Sequence, residues 1–389
     1  MDFSFTNEQQ LLSEGAQRFM REQHSFQDHL QRLAQPEASH GSLWPQFAEL
    51  GWLALPFNEV DGGLGCGAIE IMLLMQAFGR GLLTAPYLAT VVVGGEILRR
   101  ADTSNQRQKR IEKLIDGKAT LAVAYGEFSA RYDLALIETA AWRTSSGWML
   151  SGQKNAVLNG ERAENLIVAA RTSDNVNDRH GITLFFVPGD AADIERRSYP
   201  MLDGSRGADI RFNQTAVAAD AVIGGIDFGL PVLEAAIDVG LVALGAEALG
   251  IMDALLEQTI AYCQTRVQFG KSIGSFQVLQ HRLVDMFMET EQTRSLVYLA
   301  TIRLVEEAAD TAATQEAIAA MKVQVGKAGR FVGQEAIQLH GGMGMANDFI
   351  IGHYFKRLTA IDATFGNVDH HLKRFGSLRA ARENAPAGA

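Results

Sequence analysis

Cysteine is nearly absent from this chain: Cys66 and Cys263 are the only two in 389 residues. Two thiols make neither a disulfide framework nor a cysteine-rich metal cluster, so a reducing, cytoplasmic compartment is expected. No run of apolar residues reaches the roughly 18 that a membrane-crossing helix needs. The start, Met1-Asp-Phe-Ser-Phe5, has neither the basic nor the apolar segment of a secretory signal. Positive charge is also in short supply. Lys and Arg total 35 against 45 Asp and Glu, a formal net charge of −10. Such a surface disfavours nucleic acid and anionic membranes. It still permits an anionic cofactor, because a few local arginines outweigh a diffuse field. No Gly-x-Gly-x-x-Gly follows an expected strand, so a Rossmann NAD site has no support.

What the chain does have is apolar bulk. Hydrophobic residues make up 47% of the sequence, ample for a large core and two or three domains. Residues 1–118 read as helical. Apolar residues recur at three- and four-residue spacing from Glu8, with Thr6 as the expected N-cap. Gly51-Trp-Leu-Ala-Leu-Pro-Phe57 leads to a breaker-rich loop at Asp61-Gly-Gly-Leu-Gly65, and a helix is expected from Gly67 to Phe78. Asp102 to Gln108 reads as a polar loop or the start of the next helix.

From 119 to 222 short apolar runs (Trp148–Leu150, Leu166–Val168, Thr183–Val187, Ile210–Phe212) alternate with turn formers at Ser145–Gly147, Asn159–Gly160 and Asp203–Gly204. That spacing predicts an antiparallel β domain. From 223 to 389 long helices return as a bundle, with Leu283, Met286, Phe287, Leu296 and Leu299 as one expected apolar face. The predicted class is α+β: an N-terminal helical domain, a middle antiparallel β domain and a C-terminal helical bundle. The carboxyl end is rich in alanine.

Between two of those long helices lies Arg266-Val-Gln-Phe-Gly-Lys-Ser-Ile-Gly-Ser-Phe-Gln277. A guanidinium offers a planar fork of donors to pyrophosphate oxygens, glutamines pair with either edge of an adenine or ribose, and a phenylalanine supplies a stacking wall. Gly270 and Gly274 permit a tight turn. The plain alternative is an ordinary interhelix loop. Gln338 precedes Gly341-Gly-Met-Gly344, which on its own reads as a helix terminator that lets a backbone approach a ligand. Gly270-Lys-Ser-Ile-Gly274 matches a nucleophile elbow by letter only, because a strand must precede such a turn, and Ser272 is read as a loop residue. His340, His353, His370 and His371 fit no metal spacing and are expected to be structural, so no metal is expected.

These stretches resemble the acyl-CoA dehydrogenase flavoprotein family. The resemblance runs from Phe3 to about Phe375 and includes Leu50–Pro56 and Gly62–Gly65. It implies FAD, with Arg266, Gln268, Phe269, Gln277, Gln338, Gly341, Gly342 and Gly344 gripping its adenine–pyrophosphate half across a subunit interface. It also implies an acyl-CoA substrate and α,β-desaturation. His353–Thr359 and Gly366–Leu372 resemble the small subunit of pimeloyl-CoA dehydrogenase type heteromers.

Departures from the family pattern shape the rest of the expectation. Gly126-Glu-Phe-Ser-Ala-Arg-Tyr-Asp133 stands where Thr-Glu-x-x-x-Gly-Ser-Asp is usual; Glu127 and Asp133 match, Gly126, Arg131 and Tyr132 do not. After Gly152-Gln-Lys154, Ala156 and Leu158 replace the residues that normally face the flavin ring. Phe365 occupies the usual position of the catalytic glutamate, and the alternative position falls on Gly240. Phenylalanine cannot accept a proton. Glu247, in the apolar stretch Leu244–Gly250, is the candidate replacement base; the bland reading pairs it with an arginine of a neighbouring helix or subunit. Asp238 and Asp362 are weaker candidates. The preferred expectation is an unequal α2β2 partnership in which a larger acyl-CoA dehydrogenase subunit supplies ring pocket and base. Electrons would leave through an electron-transfer flavoprotein or a similar carrier. The alternatives are a self-sufficient homomer using Glu247, a non-catalytic structural subunit, and a flavoprotein that eliminates a leaving group such as sulfinate. The acyl group is expected to be pimeloyl, another dicarboxylyl or medium-to-long chain, or a sterol side chain.

Overall fold

A computed structural model of the chain describes residues 4–35, 43–173, 175–306 and 311–383. The first three residues of the amino-terminal segment and the last six of the alanine-rich end lie outside that set. The chain divides into two compact units. One comprises residues 1–36, 68–83 and 241–389; the other comprises 37–67 and 84–240.

The second unit is built on an eight-stranded sheet. Its strands are β1 (Leu121–Ala124), β2 (Ala140–Arg143), β3 (Gly147–Leu158), β4 (Asn165–Arg171), β5 (Ile182–Pro188), β6 (Ile194–Pro200), β7 (Arg206–Ala218) and β8 (Val222–Ile223). They run in the order β6-β7-β3-β2-β4-β5-β8, with β1 beside β4. Alternation along β7 sends Ala208, Ile210 and Phe212 into the core and leaves Arg211 outside. Leu166 to Ala170 in β4 are wholly buried, the mark of a strand covered on both faces. Trp148 and Phe185 meet edge to face at 5.3 Å in this core.

The sheet departs from the expected antiparallel arrangement in two parallel pairings, both made with β4. β1 pairs with β4 in parallel, from Leu121↔Asn165 to Ala124↔Val168, and Ala140 of β2 bridges Arg171 in the same sense. A parallel neighbour needs a crossing connection rather than a turn, and strand alternation carries no sign of which is present. β6 escaped the sequence reading because Ile-Glu-Arg-Arg-Ser-Tyr-Pro is a charged edge strand, paired only with β7. Residues Leu88–Gly94 wind as a buried π-helix, within which the Thr90 hydroxyl donates to the Leu121 carbonyl and accepts from its N–H. Asp102 lies in a loop, as one reading had it. It is buried, accepting from the Ser104 N–H and from Arg110.

In the first unit, Thr6 and Ser25 each close a capping box, for helices Asn7–Gln23 and Phe26–Ala34. Helix Ala68–Arg80 lies against residues 241–265 of helix Gly229–Thr265 at a pair of glycines. A Cβ on Gly79 would stand 2.0 Å from the Glu247 carbonyl oxygen, and one on Gly250 2.0 Å from that of Gln76. The most apolar stretch of Gly229–Thr265 is 89% buried, as befits a core helix. Helices Gln277–Val305, Thr311–His340, Ile350–Ala363 and Val368–Glu383 complete the bundle.

One expected helix face is corrected. Phe287 and Leu299 are exposed, whereas Met286, Thr290, Thr293, Val297, Ala300 and Thr301 form the buried stripe of Gln277–Val305. The buried threonines satisfy their hydroxyls within the helix: Thr290 donates to the Met286 carbonyl, Thr293 to Glu289 and Thr301 to Val297. A polar residue that bonds its own backbone can face a core, so apolar letters alone point to the wrong side.

Candidate functional site

The helix ending at Thr265 runs directly into a two-stranded hairpin, Val267–Gln268 against Lys271–Ser272. Phe269 and Gly270 form its turn, with φ +52° and +77°. Two left-handed residues make the tight turn that suits a hairpin, but that turn prefers Asn-Gly. Here a phenylalanine takes the strained position while 91% exposed. Its ring meets that of Phe276 edge to face at 6.1 Å. Ser272 ties the loop back, its hydroxyl donating to the Cys263 carbonyl at 2.8 Å; the Ile273 N–H donates to Arg266 at 2.8 Å. Arg266, Gln268 and Gln277 are exposed around this hairpin.

The second loop comes to the same place. Helix Thr311–His340 carries Gln338 on its last turn and ends in the short 3-10 turn Gly341–Met345, with Gly341 at φ +62°. The Tyr262 and His340 rings stack at 4.4 Å and 30°, joining the bases of the two loops. Beside Gly270, Gly341 and Gly342 a Cβ would meet nothing within 4 Å, so the open surface there is backbone. The donor set (one guanidinium, three glutamine amides, an exposed ring and bare backbone) fits the adenine–pyrophosphate half of a dinucleotide.

The flavin-ring positions lie in the other unit and have a different character. The Asn155 N–H donates to the Gly126 carbonyl at 2.8 Å, which brings the two departing motifs together. A bulge between Lys154 and Val157 puts Ala156 at φ +51°. Its N–H, which a bulge would otherwise leave free, donates to Asp209 Oδ1 at 3.1 Å. Asp209 also accepts from the Tyr199 hydroxyl at 2.9 Å. The Ala156 and Leu158 side chains carry no donor. These two positions therefore offer a ring edge no side-chain hydrogen bond.

Glu127 and Lys154 anchor the same region. Lys154 Nζ donates to Glu127 Oε1 at 2.6 Å and to the Tyr125 carbonyl at 3.2 Å. The carboxylate also accepts from the Glu138 N–H, the Thr139 N–H and the Thr139 hydroxyl. Burial pushes the Lys154 ammonium down to about 8, against the pull of Glu127. Burial alone would raise Glu127; Lys154 and the three other donors outweigh it and hold the carboxyl below its usual range. Asp133 accepts from the Ala135 N–H, and Arg131 sits at φ +51°.

Around the catalytic position, Phe365 is half-buried at φ +58°, next to Gly366 at φ +108°. Lys322, fully buried, fixes this turn. Its ammonium donates to the carbonyls of Ile361 (2.9 Å), Asp362 (2.8 Å) and Gly366 (2.7 Å). Burial lowers it to about 8. A ring nitrogen of His371 meets the Phe365 carbonyl at 2.9 Å. Nothing in the alanine-rich stretch around Lys322 singles it out in the sequence.

Gly240 is buried within helix Gly229–Thr265. Both Glu247 oxygens are engaged: Arg357 Nε donates to Oε1 at 2.5 Å and Nη2 to Oε2 at 2.8 Å. Asp362 pairs with Arg330 at 3.6 Å, and Asp238 is buried. His340 and His353 meet the Ala336 and Asn347 carbonyls. Among the described residues no group of three His, Cys, Asp or Glu is placed to hold a metal.

Three models of the acyl-CoA dehydrogenase family match in succession: the N-terminal domain over residues 6–118, the middle domain over 122–215 and the C-terminal domain over 227–375. Mitochondrial isovaleryl-CoA dehydrogenase of Pongo abelii is 30% identical over 81% of this chain and 75% of its own length. Among solved structures, the ChsE4-ChsE5 complex from Mycobacterium tuberculosis superposes with a TM-score of 0.87 at 25% identity, covering all of both chains. PigA with FAD and proline gives 0.90 at 26% identity, over 98% of this chain and 100% of that one. The chain belongs to the acyl-CoA dehydrogenase family, a family of FAD-dependent oxidoreductases.

Proposed function

We propose that this chain is the nucleotide-clamping subunit of an unequal acyl-CoA dehydrogenase. It presents Arg266, Gln268, Phe269, Gln277, Gln338 and the Gly341–Gly344 turn to the FAD of a larger subunit of the same fold, in an α2β2 assembly. The larger subunit supplies the ring pocket and the base for α,β-desaturation of an acyl-CoA. When bound, FAD would supply the hydride acceptor for Cβ, and a carboxylate must take the Cα proton. The observation that carries this reading is Phe365. A phenyl ring stands in the turn that Lys322 and His371 hold, and Gly240 offers no side chain at the alternative position. The occupied Ala156 N–H and the open, strained Phe269 turn support the same division. The pairing named in the ChsE4-ChsE5 complex favours an unequal partnership too. A dicarboxylyl acyl group such as pimeloyl, or a medium-to-long chain, is the substrate class, with an electron-transfer flavoprotein or similar carrier as acceptor.

Co-expression with the neighbouring open reading frame, followed by flavin analysis and oligomer mass, tests this. The expected product is a mixed oligomer with fewer than one flavin per chain. Full flavin loading of the chain by itself would overturn the proposal. Arg266→Ala in the assembly is expected to weaken flavin retention about 10- to 100-fold, the worth of ~1.5–3 kcal/mol for hydrogen bonds to a charged group.

The self-sufficient alternative needs Glu247 as base. The Arg357 fork favours a structural part for it. Glu247→Gln is expected to leave turnover of the folded assembly unchanged while lowering stability by roughly 2–4 kcal/mol, since it removes the buried charge that faces the half-buried Arg357 guanidinium. A thousandfold loss of turnover with intact folding would restore Glu247 to the chemistry.

A further inference from the structure

A cleft of about 360 Å³ opens in the β unit, at the end of the sheet formed by the last residues of β5 and β7. Helix Arg107–Ile115 forms its opposite wall. The cleft is separate from the residues assigned to flavin or acyl-CoA above: neither the Gly126–Asp133 stretch nor the β3 bulge lines it. Its volume lies in the range of small-molecule sites, roughly 300–1,000 Å³.

Two kinds of surface meet there. Phe186, Pro188 and Ala216, which keep accessible surface, form an apolar floor over the wholly buried Leu98, Leu114 and Leu121. Lys109 and Lys113 stand one helical turn apart at the rim, both exposed. Their spacing puts both ammonium groups on one helix face. Arg110 also lines the cleft, but its guanidinium already donates to the buried Asp102 at 2.7 Å and lies 4.2 Å over the Phe186 ring. Asp220 is the one carboxylate in the lining. The free positive charge is therefore the two lysines, set at the mouth of an apolar hollow in a chain of net charge −10.

We infer that this cleft binds a small amphipathic carboxylate, an acyl chain ending in one anionic group. The chain lies on the floor of Phe186, Pro188 and Ala216, and its carboxylate sits between Lys109 and Lys113. The chemistry separates this ligand from its rivals. A phosphate or pyrophosphate is best held by an arginine fork or a nest of backbone donors, and the one arginine here is committed to Asp102. A neutral chain would leave the lysines without purpose, and an inorganic anion would leave the floor wet.

Calorimetric titration of sodium octanoate into the assembled protein tests the inference, and saturable binding at one site per chain is expected. Saturating acyl-CoA should leave it unchanged, because the substrate site lies elsewhere. Lys109→Gln with Lys113→Gln should weaken it tenfold or more, as should raising the salt concentration to 1 M. Ala216→Leu, at an exposed lining position, should block it by filling the hollow. No saturable binding, displacement by acyl-CoA, equal affinity in the double variant, or inorganic phosphate binding as tightly as octanoate would each overturn the assignment. The outcome is independent of the flavin stoichiometry that tests the proposed function.

Discussion

Glu127→Ala is expected to lower stability by about 3–5 kcal/mol, the range for removing one partner of a buried ion pair. The alanine leaves Lys154, wholly buried, with the Tyr125 carbonyl as its remaining partner in place of a carboxylate at 2.6 Å. It also strands the N–H groups of Glu138 and Thr139, which the same carboxylate satisfies where the chain enters β2. The loss therefore has two parts, an uncompensated charge and two abandoned backbone donors. Urea unfolding at neutral pH measures their sum.

The double variant Glu127→Leu, Lys154→Met separates them. Removing both charges eliminates the unpaired ammonium, so more than half of the loss should return. The backbone donors stay unsatisfied, so recovery should be incomplete. If the double variant proves less stable than Glu127→Ala, the stranded charge is not what destabilises the single variant, and this account of the pair is wrong.

Glu127 also shows how much was legible beforehand. The residue stands out in the sequence as a family match; that its carboxylate staples Glu138, Thr139 and Lys154 together does not. Local signals read cleanly where their physics is local. Thr6 announces a helix start because a hydroxyl and Gln9 satisfy each other's neighbours within three residues. Signals fail where a distant partner decides. β1 lies parallel to β4 because of how the chain crosses the sheet, and no residue in Leu121–Ala124 encodes that. Thr290 and Thr293 face the core because their hydroxyls bond their own helix, which an apolar count misses.

The candidate site follows the same rule. Arg266–Gln277 and Gln338–Gly344 are conspicuous as motifs, yet Tyr262, which joins them by stacking on His340, lies outside both strings of matching letters. The Phe365 position can be aligned by eye, but its supporting lysine cannot. Lys322 is one residue among alanines and valines, made important by three carbonyls from a different helix end. For Glu247 the sequence offered an arginine of a neighbouring helix or subunit without saying which; Arg357 supplies it.

Acid should destabilise the helical unit steeply between pH 6.5 and 4. His24 and His29 are buried, at 3% and 2% exposure. Burial, reinforced for His24 by Arg32 and for His29 by His353 and His24, pushes each down to about 4 from 6.5. His24 Nδ1 faces an Arg32 guanidinium nitrogen at 2.7 Å, and its Nε2 faces the Leu82 carbonyl at 3.4 Å. Neither His29 nitrogen has a hydrogen-bond partner; Phe26 stacks at 6.0 Å and the His353 ring sits edge-on at 5.4 Å. Asp28 is the one neighbouring charge that opposes the shift of His24. Above pH 6.5 these imidazoles are neutral folded and unfolded, and the native state loses nothing. As pH falls through 6.5 the unfolded chain takes up protons that the folded one refuses, and stability drops until the folded groups titrate near 4. A shift of this size corresponds to about 3 kcal/mol for each histidine. His29→Phe keeps the ring packing and removes one titrating group, so its urea midpoint should change less between pH 7 and pH 4.5. A wild-type midpoint that is flat across that interval, or a variant with the full wild-type slope, would mean that these histidines do not stay neutral in the fold.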